Sequence, residues 1–293
     1  MSESTSALRP AQLELLPSDD DVRFYEEHGW WISPPILTDE EIEEAAFGVE
    51  RYYAGERDTP LLMEAGTDWR PERGNILRQN DYVSLQVDEL RQLVKHPLVA
   101  ATAARLARTP EVRLFHDQLI YKPPQVDPSV TNVGWHTDIA YWKTCSSRNM
   151  LTAWIPFQDV TPEMGPMLVV DGSHRWSEND ELEFFHETNL DAVAERIVLP
   201  DATMKPVPIL LERGQVSFHH CRAIHGSEQN RSDRARLALA VHMQDADNRY
   251  VRTTDENGKP RSHLNDFMVR RDADGNPDYT DPEVCPVLWR EAA

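Results

Sequence analysis

The spacing of apolar residues divides the chain into a helical first third and a longer part made of short strands. Helical periodicity predicts helices over residues 22–28, 38–53 and 88–108, with a strand over 29–32 between the first two. Thr38 and Glu41 have the capping-box spacing, which marks the start of the second helix. Pro97 is expected to kink or split the third helix, because proline cannot donate the helical hydrogen bond.

After Pro110 the apolar runs become short, rich in β-formers and broken by Pro, Gly and Asn. The predicted strands cover residues 112–122, 132–142, 150–158, 167–170, 207–211, 215–224 and 236–244. Short strands at this spacing are typical of a sandwich or barrel, so the fold class is mainly β with flanking helices (α+β). Along the last strand Arg236, Ala238, Ala240 and His242 share one face, on which small side chains leave room beside one cation.

We interpret the chain as a short leader followed by one domain. Residues 1–20 lack apolar periodicity and are expected to be flexible, and residues 21–293 form the domain. Its predicted parts are a helical N-terminal part with a lid (21–110), a core (111–245) and a C-terminal extension (246–293). Between residues 55 and 84 the pattern becomes irregular, which is typical of a lid or binding loop. Its candidate substrate contacts are Trp69, Arg73, Asn75, Arg78, Gln79 and Tyr82.

The composition excludes several classes of partner. With 50 acidic and 30 basic residues among 293, the formal net charge of −20 argues against nucleic acid and favours a neutral or cationic small molecule. No apolar run approaches the roughly 20 residues of a membrane span, and no secretory signal pattern is seen, so we expect a cytoplasmic protein without membrane contact. Both a monomer and a homodimer remain open. Cys145, Cys221 and Cys285 are expected to be reduced thiols that pack as small apolar side chains.

Candidate metal ligands lie in the core. His136 and Asp138 are two positions apart on a predicted strand, so they share a face and can bind one ion. This triplet alone is not evidence for a metal site, because about two His-x-carboxylate triplets are expected by chance from the composition. His225, at the end of a predicted strand, is the leading third ligand, with His219 and His220 as rivals. Two histidines and one carboxylate form the facial triad of non-haem Fe(II) oxygenases.

A second informative segment runs from His225 to Arg236. Its Gly, Ser, Asn and Asp residues predict a turn, so we expect a hairpin that brings Arg236 close to His225. A guanidinium buried beside a metal site needs an anionic partner, and its fork matches a carboxylate. That partner is either the far carboxylate of a bound 2-oxo acid or a local Asp or Glu. Arg234 competes with Arg236 for this role.

Three motifs follow one another along the core. The first is His136-Thr137-Asp138 with Tyr141-Trp142 after it. The second runs from Trp154 to Met167 and is followed by Gly172-Ser173-His174, and the third is the segment 225–236. Together, over about residues 115–243, they resemble the phytanoyl-CoA dioxygenase family of Fe(II)/2-oxoglutarate oxygenases.

The resemblance implies a double-stranded β-helix (a cupin-like jelly roll) with the N-terminal helices packed on one sheet. The implied iron ligands are His136, Asp138 and His225. The implied 2-oxoglutarate contacts are Arg236, Thr152, Trp142 and Gln118, with Arg234 as the alternative to Arg236. The reaction would need Fe(II), 2-oxoglutarate and O2 and would oxidise an unactivated C–H bond, by default through hydroxylation, while 2-oxoglutarate becomes succinate and CO2. A carboxylate at position 138 departs from the halogenating relatives, which carry a small residue there.

The family name does not identify the substrate. A chain of net charge −20 without a basic cluster suits the phosphates of an acyl-CoA poorly, so we expect a small metabolite or natural product such as an amino sugar. Two other classes remain open: a jelly-roll isomerase or hydrolase that uses Zn or Mn without 2-oxoglutarate, and a non-catalytic jelly-roll binding module. Arg236 favours the oxygenase, because only a 2-oxo-acid co-substrate requires it.

Overall fold

Two antiparallel sheets face each other, and helices cover the outer face of the larger sheet. The structure, a computed structural model, describes residues 8–61, 63, 69–197 and 203–291. Together, the facing sheets and the covering helices agree with the mainly β class with flanking helices that the strand pattern predicted, and with the jelly roll that the resemblance implied.

Helices make up most of the first third of the chain. The α-helices of the described residues are α1 (Pro10–Leu13), α2 (Asp19–His28), α3 (Asp39–Tyr53), α4 (Asp88–Val94), α5 (Pro97–Leu106), α6 (Asp138–Tyr141), α7 (Leu190–Arg196) and α8 (Asn265–Met268). The hydroxyl of Thr38 accepts a hydrogen bond from the backbone N–H of Glu41, so the predicted capping box is confirmed. Pro97 begins α5, so the third predicted helix is split, as expected.

The strands form a large and a small sheet. They are β1 (Trp30–Ile32), β2 (Arg78–Asp81), β3 (Glu111–Lys122), β4 (Val133–His136), β5 (Leu151–Pro156), β6 (Met167–Val170), β7 (Pro206–Pro208), β8 (Ser217–His220), β9 (His225–Ser227), β10 (Arg236–Asp245) and β11 (Val287–Arg290). The large sheet has the order β1-β8-β5-β10-β3-β11, with β2 also paired to β3. The small sheet has the order β4-β9-β6-β7.

Strand β10 separates the core from the space between the sheets. Leu239 and Val241 on one face belong to the hydrophobic cluster that includes the helices α2 to α5. Arg236, Ala240 and His242 on the other face line a cavity. The predicted assignment of these two faces is therefore confirmed.

The predicted strand 132–142 is wrong in its second half. The strand ends at His136, and Asp138 begins the short helix α6. An acidic side chain is favourable in the first turn of a helix, because the unpaired backbone N–H groups there carry partial positive charge. His136 and Asp138 therefore lie at a strand-to-helix turn and not on one strand face.

The predicted strand 215–224 and the predicted hairpin after it are also wrong. Strand β8 ends at His220, and His225 begins β9 in the other sheet. Strand β9 pairs with β4 and β6, whereas β10 pairs with β3 and β5. The segment between β9 and β10 thus crosses from the small sheet to the large one. Turn-forming residues mark a change of direction, but they do not specify which sheet the next strand joins.

Residues 8–20 and the C-terminal extension both pack against the body of the protein. From Leu8 on, the predicted leader is part of the body: α1 lies within it, and Leu8, Leu15 and Leu16 pack against the core. The predicted flexible leader is therefore not supported for residues 8–20, and residues 1–7 lie outside the described part. The C-terminal extension returns as β11 and pairs with β3. The three cysteines are buried and unpaired, and none of the described helices is long and apolar enough to cross a membrane.

Candidate metal centre

The two histidines of the predicted metal site are a cross-strand pair. His136 ends β4 and lies directly opposite His225 at the start of β9, and their ring centroids are 4.1 Å apart. One ligand atom each of His136, Asp138 and His225 lies within 4.8 Å of the others, and all three side chains are buried. The structure therefore brings together the three ligands that the sequence predicted.

Backbone hydrogen bonds orient both imidazoles toward the same point. The Nδ1 atoms of His136 and His225 lie 2.8 Å from the carbonyl oxygen of Gly134 and 3.0 Å from that of Ala223. A carbonyl can only accept, so each Nδ1 carries the proton and each Nε2 presents a lone pair. These Nε2 atoms lie 4.0 and 3.6 Å from Oδ1 of Asp138.

Burial keeps both imidazoles ready to bind a metal. It lowers the pKa of His136 below its ordinary value and lowers that of His225 further, with His136 as an additional cause. Burial alone would raise the pKa of Asp138, but the neighbouring histidines, His225 first, hold it well below its ordinary value. Two neutral imidazoles and an ionised carboxylate are the protonation states that a divalent metal requires.

A polar row on the large sheet holds the second oxygen of Asp138. Thr152 donates its hydroxyl proton to Oδ2 over 2.6 Å, His219 Nε2 lies 3.3 Å from the same oxygen, and His242 Nδ1 lies 3.7 Å away. Thr152 pairs with His219 on one side and with His242 on the other, and His242 pairs with His116. The large sheet thus fixes the carboxylate, while the small sheet supplies both imidazoles.

His219, one of the two rival third ligands, lies close to the metal centre. Its Nε2 is 3.3 Å from Oδ2 of Asp138, and its ring is 4.5 Å from that of His225. It nevertheless does not join the group of mutually close ligand atoms. His220 points elsewhere, and its ring lies 5.2 Å from that of His174. Neither rival is therefore a better third ligand than His225.

A pocket extends from the triad along β10, between the two sheets; we call it the inner pocket. Its lining includes Gln118, Trp154, Ser227, Arg236 and Ala240. His242 beside the metal centre and Arg236 at the far end are six positions apart on the strand, or roughly 20 Å. Small residues between them, such as Ala240, leave the space in which a ligand can lie.

Arg236 is a buried cation without an anionic partner. It is 3 % exposed, its Nη1 donates to the carbonyl oxygen of Gly165, and its Nε has no hydrogen-bond partner. Within the described part of the chain no carboxylate lies at ion-pair distance, so the predicted alternative of a local Asp or Glu is not found. Burial lowers its pKa to about 10. The rival Arg234 is exposed and lines neither the inner pocket nor the cavity outside it.

A wider cavity of 770 Å³ opens on the other side of the triad; we call it the outer cavity. Its walls come from segments around the rim of the sandwich, and representative lining residues are Trp69, Leu77, Trp142, Phe185, His186 and His263. Gly134 allows the segment around Phe184 to pack directly against β4. A Cβ atom at position 134 would lie 1.8 Å from the carbonyl oxygen of Phe184, so a larger residue would not fit. That close approach places the ring of Phe185 4.9 Å from that of His136.

The predicted substrate contacts divide into two groups. Trp69, Arg73 and Gln79 line the outer cavity, and Gln79 also reaches the inner pocket. The other three do not line either space: Asn75 is exposed, Arg78 stacks on Trp69, and Tyr82 is buried with its hydroxyl bound to Asn265. Their inclusion among the substrate contacts is therefore not supported by position.

The predicted co-substrate contacts also differ in position. Gln118 lines both spaces, and Thr152 lines the inner pocket while it holds Asp138. Trp142 lines the outer cavity, where its ring lies 5.0 Å from that of His242. It is therefore nearer to the predicted substrate space than to the inner pocket.

Several lining residues were missed by the sequence reasoning. Trp154 alternates with Thr152, and Ser227 with His225, so the period of two along a strand was a usable signal. His263 lines the outer cavity from the C-terminal extension, where no local pattern distinguishes it. Its position depends on the packing of distant segments.

The donors fit a metal and a carboxylate-bearing ligand. Two imidazole Nε2 atoms and one carboxylate oxygen converge on one point, which suits Fe(II) with open positions for other ligands. The unpaired guanidinium of Arg236 suits the far carboxylate of a dicarboxylic acid. The residues present therefore match iron and 2-oxoglutarate as a pair.

Comparisons with known proteins agree with this geometry. A model of the family described as phytanoyl-CoA dioxygenase (PhyH) matches residues 25–238. The mouse (Mus musculus) peroxisomal phytanoyl-CoA dioxygenase is 24 % identical over 233 residues, which cover 77 % of this chain and 68 % of that protein. A probable alpha-ketoglutarate-dependent hypophosphite dioxygenase of Stutzerimonas stutzeri is 26 % identical over 181 residues, 60 % of each chain.

Two solved structures from nogalamycin biosynthesis are similar along most of the chain. The non-heme alpha ketoglutarate dependent carbocyclase SnoK is 28 % identical, with a TM-score of 0.63 over 85 % of this chain and 93 % of that one. The non-heme alpha ketoglutarate dependent epimerase SnoN is 25 % identical, with a TM-score of 0.65 over 96 % of this chain and all of that one.

The family match and the site lead to one assignment. The match covers most of the chain and includes the triad and Arg236. The chain is an enzyme that uses Fe(II), 2-oxoglutarate and O2, which decides against the two alternative classes left open by the sequence. It belongs to the phytanoyl-CoA dioxygenase family of Fe(II)/2-oxoglutarate-dependent dioxygenases.

Proposed function

We propose that this enzyme hydroxylates an unactivated C–H bond of a small neutral or cationic metabolite. In this proposal His136, Asp138 and His225 hold the iron, and Arg236 holds the far carboxylate of 2-oxoglutarate. In the overall reaction one oxygen atom of O2 enters the substrate as a hydroxyl group and the other enters succinate, with release of CO2.

The observation that carries the co-substrate assignment is the burial of Arg236 without a carboxylate partner. Leaving a buried guanidinium unpaired is costly, so an anion is expected beside it when the site is loaded. Gln118 and Trp154 line the space between Arg236 and the triad, where they orient the rest of the co-substrate. The protein contributes ligation, orientation and exclusion of water, while the bound metal and 2-oxoglutarate supply the oxidising chemistry.

The division between two spaces supports separate positions for co-substrate and substrate. The inner pocket ends at Arg236, whereas the outer cavity is large enough for a drug-sized molecule and reaches His136 and Asp138 from the other side. A substrate C–H bond in the outer cavity would therefore approach the metal from the side that faces away from Arg236.

A binding titration tests the co-substrate assignment. Under anaerobic conditions the wild type with Fe(II) and 2-oxoglutarate should develop the weak visible charge-transfer band of the chelate. Arg236→Met should weaken 2-oxoglutarate binding by about 30-fold or more, because it removes a buried charged hydrogen-bond donor. Arg234→Met, on an exposed neighbour, is the matched control and should bind like the wild type. No band in the wild type, or an unchanged affinity in Arg236→Met, would contradict the proposal.

The outer cavity supports a substrate other than an acyl-CoA. Among its described lining residues Arg73 is the only Arg or Lys, whereas a CoA ester carries several phosphate charges. Burial lowers the pKa of His242 to about 4 and that of His263 to about 3, so these rings are neutral near pH 7. The similarity to SnoK and SnoN supports a natural product, and an amino sugar is our preferred class.

Stimulated turnover of 2-oxoglutarate tests the substrate class. A panel of amino sugars, neutral glycosides and acyl-CoA thioesters would be scored by the succinate formed above the rate without substrate. We expect stimulation by the sugars and none by the thioesters. Stimulation by an acyl-CoA alone would overturn the substrate proposal while leaving the co-substrate assignment intact.

A further inference from the structure

Lys122 is a fully buried lysine that lies behind two lining residues of the inner pocket, Arg236 and Ser227. It ends β3 and lies directly opposite Arg236 on β10, so two cationic side chains share one cross-strand pair. Like charges in this position repel each other. Burial, and then the charge of Arg236, holds the pKa of the Lys122 amine well below its ordinary value. No carboxylate among the described residues is within ion-pair distance of either side chain.

The hydrogen bonds of Lys122 all point to the start of the crossing segment after β9. Its Nζ donates to the hydroxyl of Ser227 over 2.6 Å, to the backbone carbonyl of Ser227 over 3.4 Å, and to the carbonyl of Glu228. An ammonium group has three N–H donors, and three acceptors are present. The three acceptors match the three donors of an ammonium, and an anion beside Arg236 would favour this charged form against the lowering of the Lys122 pKa by burial and by Arg236.

The contact with Lys122 determines what the Ser227 hydroxyl can do. A hydroxyl oxygen that accepts from an ammonium keeps its own proton to donate. The described protein atoms include no acceptor for that proton, and Ser227 lines the inner pocket together with Arg236. An anion in the pocket would be the acceptor, and it would lie beside both donors.

We propose that Lys122 is a positioning residue that makes the inner pocket selective for dicarboxylic 2-oxo acids. It orients the Ser227 hydroxyl as a donor to the far carboxylate on Arg236 and adds a second positive charge behind it. This inference rests on the proposed function, since it assumes that the far carboxylate lies at Arg236.

The test compares two 2-oxo acids that differ at the far end. 2-Oxoglutarate and 2-oxovalerate have the same carbon chain, but 2-oxovalerate ends in a methyl group. Dissociation constants for both are measured with Fe(II) under anaerobic conditions, and their ratio gives the selectivity for the far carboxylate. Lys122→Met should reduce this ratio by about tenfold or more, the effect expected for losing one charge-assisted contact. The affinity for 2-oxovalerate should change by less than about twofold, because that acid never uses the contact.

Two further variants complete the design. Lys143→Met removes a partly buried lysine elsewhere, whose Nζ donates to the carbonyl oxygen of Asp180 and pairs with Glu181, and it should leave the ratio unchanged. Ser227→Ala should lower the ratio, and combining it with Lys122→Met should lower it by less than the product of the two single effects, since both act on one contact.

The outcomes separate this inference from the proposed function. An unchanged ratio in folded Lys122→Met, or an equal loss of affinity for both acids, would overturn the positioning role. If Lys122→Met does not fold, Ser227→Ala decides, and an unchanged ratio there overturns the proposal. Failure of the wild type to bind 2-oxoglutarate would instead reject the proposed function.

Discussion

The inner pocket and the outer cavity meet at His136 and Asp138 but are built in different ways. The inner pocket is lined mainly by strand residues, such as Thr152, Ala240 and Arg236, whose directions follow from strand register. The outer cavity is closed by segments outside the central strands, including residues 185–188 and 262–264. The side chains of the inner pocket are therefore positioned by the hydrogen bonds between strands, whereas those of the outer cavity are positioned mainly by the packing of loops.

This difference indicates which function each space can serve. A pocket fixed by sheet register suits an invariant co-substrate, because its donors are held in place by the ladder. A cavity closed by loops can change between related chains without disturbing the sheets. Similarity to a carbocyclase and an epimerase, as well as to peroxisomal phytanoyl-CoA dioxygenases, is consistent with such a division.

The largest effect is expected where the large sheet holds Asp138. Thr152→Val removes the hydroxyl that donates to Oδ2 and keeps the shape of the side chain. We expect metal affinity to fall by about 10- to 100-fold, as for other hydrogen bonds that orient metal ligands. Titration with Fe(II) or Co(II) measures this. Thr102→Val is the matched control, because Thr102 is buried in α5 and its hydroxyl has no partner. Equal affinities in the two variants would contradict the assigned role of Thr152.

A substitution in the outer cavity should have a smaller effect, and it should lower substrate-dependent turnover without changing the binding of 2-oxoglutarate. Trp69→Ala removes a ring that stacks on Arg78 at 4.0 Å and forms part of the cavity wall. Substrate-dependent turnover should fall by about tenfold, the cost of losing one packed aromatic contact. Binding of 2-oxoglutarate should stay within about twofold, since Trp69 does not line the inner pocket. A parallel loss of 2-oxoglutarate affinity would show that the two spaces are not independent.

The smallest expected effect is a local opening of the outer-cavity wall, residues 262–264, as the pH falls. Burial, and then His242, lowers the pKa of His263 to about 3. A histidine with a lowered pKa stabilises the fold above its ordinary pKa near 6.5, and this stabilisation is lost as the pH falls toward 3. Local opening of residues 262–264 should therefore increase by roughly fourfold between pH 7.5 and pH 6.

Hydrogen exchange, corrected for intrinsic rates, measures that opening. His263→Phe cannot take up a proton and can still pack on Phe115, whose ring lies 4.7 Å from that of His263, so it should remove the pH response. Amides of β10 should keep their protection over the same range. If β10 loses protection together with residues 262–264, the outer wall does not open independently of the sheet.

Much of the inner pocket could be predicted from the sequence. The alternation along β10 predicted the pocket face that carries Arg236 and His242, and the three candidate ligands named from the sequence lie together in the structure. The way in which they meet was not predicted. Asp138 approaches from a helix start, and His225 lies in the small sheet opposite His136, because sheet membership depends on long-range pairing.

The outer cavity was mostly beyond prediction. Trp69 and Gln79 were identified because the irregular segment that contains them has the composition of a lid. His263 and Phe185 carry no such signal, since their places depend on how distant segments cross the rim. Lys122 shows the same limit within the inner pocket, because a lysine at a strand end is ordinarily solvated, and only the pairing with β10 buries it.

The contacts of Asp138 with Thr152, His219 and His242 on the large sheet have a consequence for stability. Both imidazole ligands are carried by the small sheet, while the carboxylate is gripped by the large one through Thr152. An ion bound at this point would therefore link the two sheets, because its ligands are positioned by both of them. The free energy of binding such an ion would add to the stability of the folded protein at the edge where the two sheets meet.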